Sequence, residues 1–243
     1  MWTLPSRGRP ELITHFFDMA LKAGLQTPGV VILEKSDPKF QRYLDEVKLP
    51  KDWHFFVCPE GFENDPMPSF GKATRCWIAH NQEYWNECKW LGSLNDDYEP
   101  ISQDWDIRLI GQLNGYNFVS GSDRWKAPER LTAAPVYSGD LLRAVGYMFP
   151  AGMHHFFFDD VWEMLAVDRG IWDIQMDVII LHNHHMLHKK LDDTSKYVEH
   201  DSDFFEKDRA TFKKWLEGDY LQALLRIEAL KKSKLGGINA DQL

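Results

Sequence analysis

The chain has 243 residues, a formal net charge of -9 and 44% apolar residues, with 10 Trp, 15 Phe and 8 Tyr. A chain this long buries on the order of 70–75% of its unfolded surface, so folding needs no disulfide or metal staple. The acidic balance argues against a broad footprint on nucleic acid, which requires a basic face. The cysteines, Cys58, Cys76 and Cys88, are odd in number and lack C-x-x-C spacing. They read as reduced thiols of a cytosolic protein. The opening Met1–Arg7 lacks a hydrophobic h-region, so no signal peptide is expected. No run of about 18 apolar residues occurs, so no transmembrane helix is expected.

Trp2 to Leu4 reads as a first strand, followed by the turn Pro5-Ser6-Arg7-Gly8-Arg9-Pro10. From Glu11 to Leu25, Leu12, Phe16, Met19 and Ala20 share one helical face, and Gly24 stands where a helix-ending glycine belongs. Gly29 to Leu33 is a buried strand ending at Glu34, with a turn at Asp37-Pro38. Phe40 to Val47 is a helix and Trp53 to Val57 a third strand. This order predicts a βαβ unit and a mainly parallel sheet. Pro59 to Phe70 is a polar loop, and Lys72 to Lys89 reads as one helix. Trp90 to Leu94 is a strand that stops at Asp96-Asp97, with a turn from Pro100. Trp105 to Leu113 is helical and Tyr116 to Ser120 a strand; Ala127 to Ala134 has no clear period. Val136 to Asp140 is a strand running into a helix, Leu141 to Val145. Phe158-Asp159-Asp160 opens an amphipathic helix, which either aspartate could cap. Asp177 to Leu181 is a strand ending at His182-Asn183-His184-His185. Asp203 to Lys234 is helical.

The expected architecture is a single α/β domain over 1–243, with a Rossmann-like, mixed, mainly parallel sheet flanked by helices. The helical region 203–234 packs on a core spanning roughly residues 1–200. In open α/β sheets, ligands bind outside the carboxyl ends of the strands. Polar clusters fall where strands end: Pro5 to Arg9, Glu34 to Asp37, Asp96-Asp97 and His182 to His185. Asp159-Asp160 adds a further pair before a helix. Adjacent carboxylates at a strand end suit a hard divalent cation that bridges to phosphates.

Leu4-Pro5-Ser6-Arg7-Gly8-Arg9-Pro10-Glu11, the strand ending at Glu34, Asn95-Asp96-Asp97, Asp159-Asp160-Val161-Trp162 and His182-Asn183-His184 together resemble a small GT-A-fold glycosyltransferase. The likeness is to the family-2-like enzymes of bacteria and bacteriophages, and it spans roughly residues 2–200. That family's metal motif is usually written Asp-x-Asp. Here Asn95 stands first, which leaves open which aspartate meets the nucleotide and which the metal.

The resemblance implies a transferase that moves a hexosyl or pentosyl group from a nucleotide-sugar, a UDP-sugar first, with manganese or magnesium. By the family pattern Asp97 holds the metal, joined by His182 or His184, and Asp96 approaches the ribose or the sugar. Pro5, Ser6 and Arg7 line the base, Glu34 or Asp37 takes the base or ribose edge, and Lys72 reaches the nucleotide. Arg9 is balanced between nucleotide contact and a solvated turn. Asp160 is the general base of an inverting reaction; Asp159 is its alternate. Gly139-Asp140 is a candidate for the acceptor side, and Tyr98, Trp125 and Trp162 for sugar stacking, although core packing suits a given aromatic better. The acceptor class stays open among glycan, protein, small molecule and modified nucleobase. The resemblance also implies a cytoplasmic setting, in a bacterium or a phage-infected host. Two rivals stand beside this reading. One is a hydrolase built on His182, His184, His185 and His188 with Asp159 or Asp160. The other is a non-catalytic nucleotide- or carbohydrate-binding module.

Overall fold

The computed structural model describes residues 1–64, 69–124, 130–131, 133–183 and 202–236. Eight strands form one sheet: β1 (Trp2–Pro5), β2 (Gly29–Glu34), β3 (Trp53–Cys58), β4 (Trp90–Ser93), β5 (Tyr98–Pro100), β6 (Phe118–Ser122), β7 (Ala133–Ser138) and β8 (Trp172–His182). The helices are α1 (Pro10–Lys22), α2 (Phe40–Glu46), α3 (Phe70–His80), α4 (Gln82–Glu87), α5 (Trp105–Ile110), α6 (Gly139–Val145), α7 (Phe158–Arg169) and α8 (Ser202–Gly236).

The strand order is β3-β2-β1-β4-β7-β6-β8-β5. β1 pairs in parallel with β2 and β4, β2 with β3, and β6 with β8. β7 runs antiparallel to β4 and β6, and β5 antiparallel to β8. It follows that β1, β2, β3, β4, β6 and β8 all point one way and share a carboxyl edge. The sheet is mixed and mainly parallel, the architecture expected.

Side chains alternate across a strand, and here both faces are covered. Val30 and Ile32 of β2 enter one core with Phe118, Tyr137, Trp162 and Trp215; Val31 and Leu33 enter the other with Trp2, Phe16, Trp105 and Val136. A strand buried on both faces reads as a continuous apolar run, which is why Gly29–Leu33 stood out in the sequence. The polar face of α8 is exposed, while Trp215, Ala223, Leu224 and Ile227 are buried.

Three elements differ from expectation. The helix predicted over 72–89 is broken at Asn81, whose side-chain amide donates to the Trp77 carbonyl at 2.8 Å. Asn side chains compete in this way with the backbone ladder. A turn was expected from Pro100; instead Tyr98–Pro100 is a short strand, and proline is tolerated at the end of a sheet-edge strand. β8 begins at Trp172, five residues before the predicted start. Its pairing with β6 slips, Ser120 facing Ile174 and Ser122 facing Ile179, and this bulge interrupts the period-2 pattern.

Close packing leaves some positions no room for a side chain. A Cβ on Gly139 would lie 1.9 Å from the Cys88 carbonyl oxygen, a backbone atom that cannot swing aside. Gly139→Ala is expected to cost about 3 kcal/mol, the upper end for overpacking. Thermal unfolding checks this; an unchanged midpoint would contradict the packing.

Candidate active site

The shared carboxyl edge gathers polar side chains from five strands. Ser6, Arg7 and Arg9 follow β1, and Glu34 and Asp37 close β2. Asp96 and Asp97 follow β4, Asp123 follows β6, and His182 ends β8.

Asp96 is buried. Ser6 Oγ donates to its Oδ2 at 2.5 Å, and Arg9 pairs with its Oδ1 at 2.7 Å. Ser6 Oγ also lies 2.8 Å from the Tyr43 hydroxyl, which accepts from the Arg9 backbone N–H at 2.8 Å. A buried carboxylate needs such partners, and the chain Tyr43–Ser6–Asp96–Arg9 fastens the ends of β1 and β4 to α2. Burial, and then the Asp96 charge, push the Tyr43 hydroxyl well above its ordinary value. It stays a neutral hydrogen-bonding group.

Glu34 forms a second cluster. Arg7 reaches its Oε2 at 3.2 Å and Lys72 its Oε1 at 3.5 Å. Burial raises the Glu34 pKa, and the Lys72 and Arg7 charges only partly offset it. Lys72 is buried because Ser69, the N-cap of α3, starts that helix under the β2 end. Asp37 is committed to the backbone: it accepts from Gly8 N at 2.6 Å and Lys39 N at 2.7 Å. Its carboxylate shapes the loop, and both oxygens are engaged there. Pro5 is buried as the last residue of β1.

Asp97 and His182 meet through strand register. Tyr98 pairs with His182 across β5 and β8, and Asn183 N donates to the Asp97 carbonyl at 3.0 Å. The Asp97 carboxylate is therefore set beside the His182 ring, with Oδ1 to Nε2 at 3.2 Å. Two ligands at right angles on an octahedral ion, each about 2.1 Å away, stand about 3 Å apart. The donor types and spacing fit a divalent cation that draws its other ligands from water and phosphate. Among the described residues no group of three His, Cys, Asp or Glu side chains gathers for a metal.

The two acids of α7 diverge. The N-cap is Phe157, with φ of 67° and no side-chain cap bond, so neither aspartate caps the helix. Asp159 and Asp160 lie in the first turn, where the helix dipole favours negative charge. Asp160 pairs with Arg130 at 3.5 Å, on a side shared with Glu163. The Asp159 charge is felt by two tyrosines of the sheet. Burial raises the Tyr98 and Tyr137 hydroxyls well above their ordinary range, and in both the Asp159 charge is the next cause. Asp97 and Asp123 act on Tyr98 as well. The charges of Asp97, Asp123 and Asp159 thus all bear on one tyrosine.

Other sequence candidates resolve differently. Asp140 pairs with Arg143 and Lys234, tying α6 to α8, and Gly139 is wedged against Cys88. Trp162 is fully buried core. His184, His185, His188 and Trp125 lie outside the described residues. All three cysteines are free and buried. Among the described residues no helix is long and apolar enough to cross a membrane. Sequence reasoning missed Tyr43 and Asp123. Asp123 had a signal, since it follows a strand end like the other acids. Tyr43 had none, because only tertiary packing brings it to this edge.

No protein-family model matches the chain, and no curated protein matches it. Solved structures show distant likenesses. One is the catalytic domain of a Drosophila β1,4-galactosyltransferase 7 in complex with xylobiose, at 14% identity, covering 79% of this chain and 73% of that one, with a TM-score of 0.48. A mutant of that Drosophila enzyme, in complex with manganese, UDP-Gal and xylobiose, is similar at 13% identity, 79% and 73% coverage and a TM-score of 0.44. A 4-diphosphocytidyl-2C-methyl-D-erythritol synthase from Anaerococcus prevotii is similar at 9% identity, 82% and 95% coverage and a TM-score of 0.47.

Proposed function

We propose that the chain is a metal-dependent glycosyltransferase that takes a sugar from a nucleotide-sugar, a UDP-sugar first, with inversion. One observation carries the reading: Asp97 and His182 stand 3.2 Å apart at the carboxyl edge, and the Asp159 charge bears on Tyr98, the strand partner of His182. Asp97 and His182 carry the donor types of a divalent-cation site. The sequence resemblance to GT-A enzymes supports it.

Asp97 and His182 would hold manganese or magnesium, which when bound neutralises charge on a departing diphosphate. Asp96, braced by Ser6 and Arg9, fixes the loop that carries Asp97. Arg7, Glu34 and Lys72 form the wall against which the nucleotide base rests. Asp159 accepts the proton of the acceptor hydroxyl as that oxygen attacks the anomeric carbon. Asp160, held by Arg130, flanks this base. The rival hydrolase requires His184, His185 and His188, outside the described residues, and no observation favours it.

Calorimetry with UDP and GDP, in manganese and in EDTA, tests the reading. Binding is expected in manganese and lost in EDTA. His182→Ala is expected to weaken manganese-dependent binding at least about 10–100-fold, the loss known for weaker second-shell changes. A parallel His184→Ala decides between the two histidines. Equal affinity in EDTA and manganese would remove the metal from the proposal.

A further inference from the structure

The Asp97–His182 pair sits where β5 meets the end of β8. β5 has three residues and is the outer strand of the sheet. A strand so short, paired on one side, has few ladder bonds, and Pro100 has no N–H to add. Its two ends are tied by other means. Away from the site, Ile101 N and Ser102 N donate to the Ile179 carbonyl at 3.0 and 3.1 Å, and Ile179 N donates to Ser102 Oγ at 2.7 Å. At the site, Asn183 N donates to the Asp97 carbonyl at 3.0 Å, and Asn183 Nδ2 donates to Glu99 Oε2 at 2.7 Å.

Successive side chains of a strand point to opposite faces. Tyr98 and His182 are register partners, and their rings meet edge to face at 4.9 Å and 89°. Glu99 follows Tyr98 and Asn183 follows His182, so their bond lies on the opposite face of the ribbon. It joins the residue after His182 to the residue two after Asp97. One bond thereby fixes the backbones that carry both donors. Its acceptor is a carboxylate, and charge-assisted bonds are about twice as strong as neutral ones. His15 of α1 also approaches Glu99, but Nε2 to Oε2 is 3.7 Å and the ring is half exposed, too long for a hydrogen bond.

A cation site demands this fixing, because its donors must be held within about 0.5 Å of their working positions. Asp97 Oδ1 and His182 Nε2 stand 3.2 Å apart, and a slip of β5 along β8 would separate them. Resting on the nucleotide-sugar reading, we propose that Glu99 and Asn183 are positioning residues of the cation site. Their bond, behind the two donors, holds Asp97 and His182 at the spacing that a divalent ion requires.

The test measures UDP binding by calorimetry across a series of Mn2+ concentrations and reads the Mn2+ concentration that gives half of the full binding. Glu99→Ala and Asn183→Ala are each expected to raise that concentration about 10–100-fold, the range for residues that orient metal ligands. The double variant is expected to be no weaker than the worse single one, because both cut the same bond. Glu99→Gln keeps an acceptor oxygen for Asn183 Nδ2 and is expected to recover most of the loss. Wild-type Mn2+ dependence in Glu99→Ala overturns this assignment alone, even if that variant unfolds at a lower temperature; the pair would then be a structural tie. A Gln variant as weak as Ala also overturns it, since the charge of Glu99 and not its bond would be the cause. So does a double variant whose loss is the product of the two single losses. Wild-type protein that binds UDP equally well in manganese and in EDTA removes the cation from the nucleotide-sugar reading, and this assignment with it.

Discussion

Asp159→Asn is expected to lower sugar transfer by roughly 10²–10⁴-fold, the usual worth of a positioned general base. UDP affinity in manganese is expected to stay close to wild type, because the substitution removes proton affinity and leaves the Asp97–His182 pair untouched. The nearest comparison is Asp160→Asn. That side chain is half-buried and pairs with an exposed Arg130 at 3.5 Å. Exposed ion pairs are worth about 0–1 kcal/mol, so this variant is expected to keep most of its turnover. Turnover is read as nucleoside diphosphate release from the nucleotide-sugar that binds best. A wild-type rate in Asp159→Asn together with a collapse in Asp160→Asn would return the base to Asp160, the position the sequence resemblance favoured. Wild-type rates in both would leave the pair as helix-dipole partners only.

This choice between neighbouring aspartates marks the limit of what the sequence disclosed. Strand ends were legible, because apolar runs such as Val30–Leu33 stop abruptly at charge and the βαβ order orients them. Asp96, Asp97, Glu34 and His182 were thereby placed on one edge before any coordinate was known. The direction of a side chain within a helical turn was not legible. Successive residues of α7 point about 100° apart, as 3.6 residues per turn require, and the apolar pattern gave no phase for the polar first turn. Contacts between distant segments were equally hidden. Tyr43 reaches Ser6 across 37 positions, and Asp208 reaches His154 across 54. Neither pair leaves a local trace, since Tyr43 and Asp208 in isolation suit a solvated helix face and Ser6 and His154 a polar loop. The short β5 was hidden because Tyr98–Pro100 gains its strand character only from pairing with β8.

Asp208→Ala is expected to destabilise the protein by about 3–5 kcal/mol, the range for removing one member of a buried, hydrogen-bonded charged set. The carboxylate is fully buried and takes all four of its bonds from one segment, 154–156. Alanine leaves three backbone N–H groups facing a void, each costing about 1–3 kcal/mol if water cannot reach it. For a chain of this size the loss corresponds to a fall of about 6–20 °C in Tm. Asp208→Asn is nearly isosteric but turns an NH2 group toward donors, so it should also destabilise. The pH dependence identifies the cause. Burial works to raise the Asp208 pKa, but the His154 ring and the backbone N–H groups outweigh it and hold it below the ordinary carboxylate value. A depressed folded-state pKa gives stability that is present above the unfolded value of about 3.9 and lost as pH falls through the folded one. The gap between wild type and Asp208→Asn should therefore be full at pH 7 and narrow below about pH 4. Urea unfolding of both proteins across that range measures it. A gap that stays constant through acid pH would mean that the charge of Asp208 does not hold the segment, and that shape alone does.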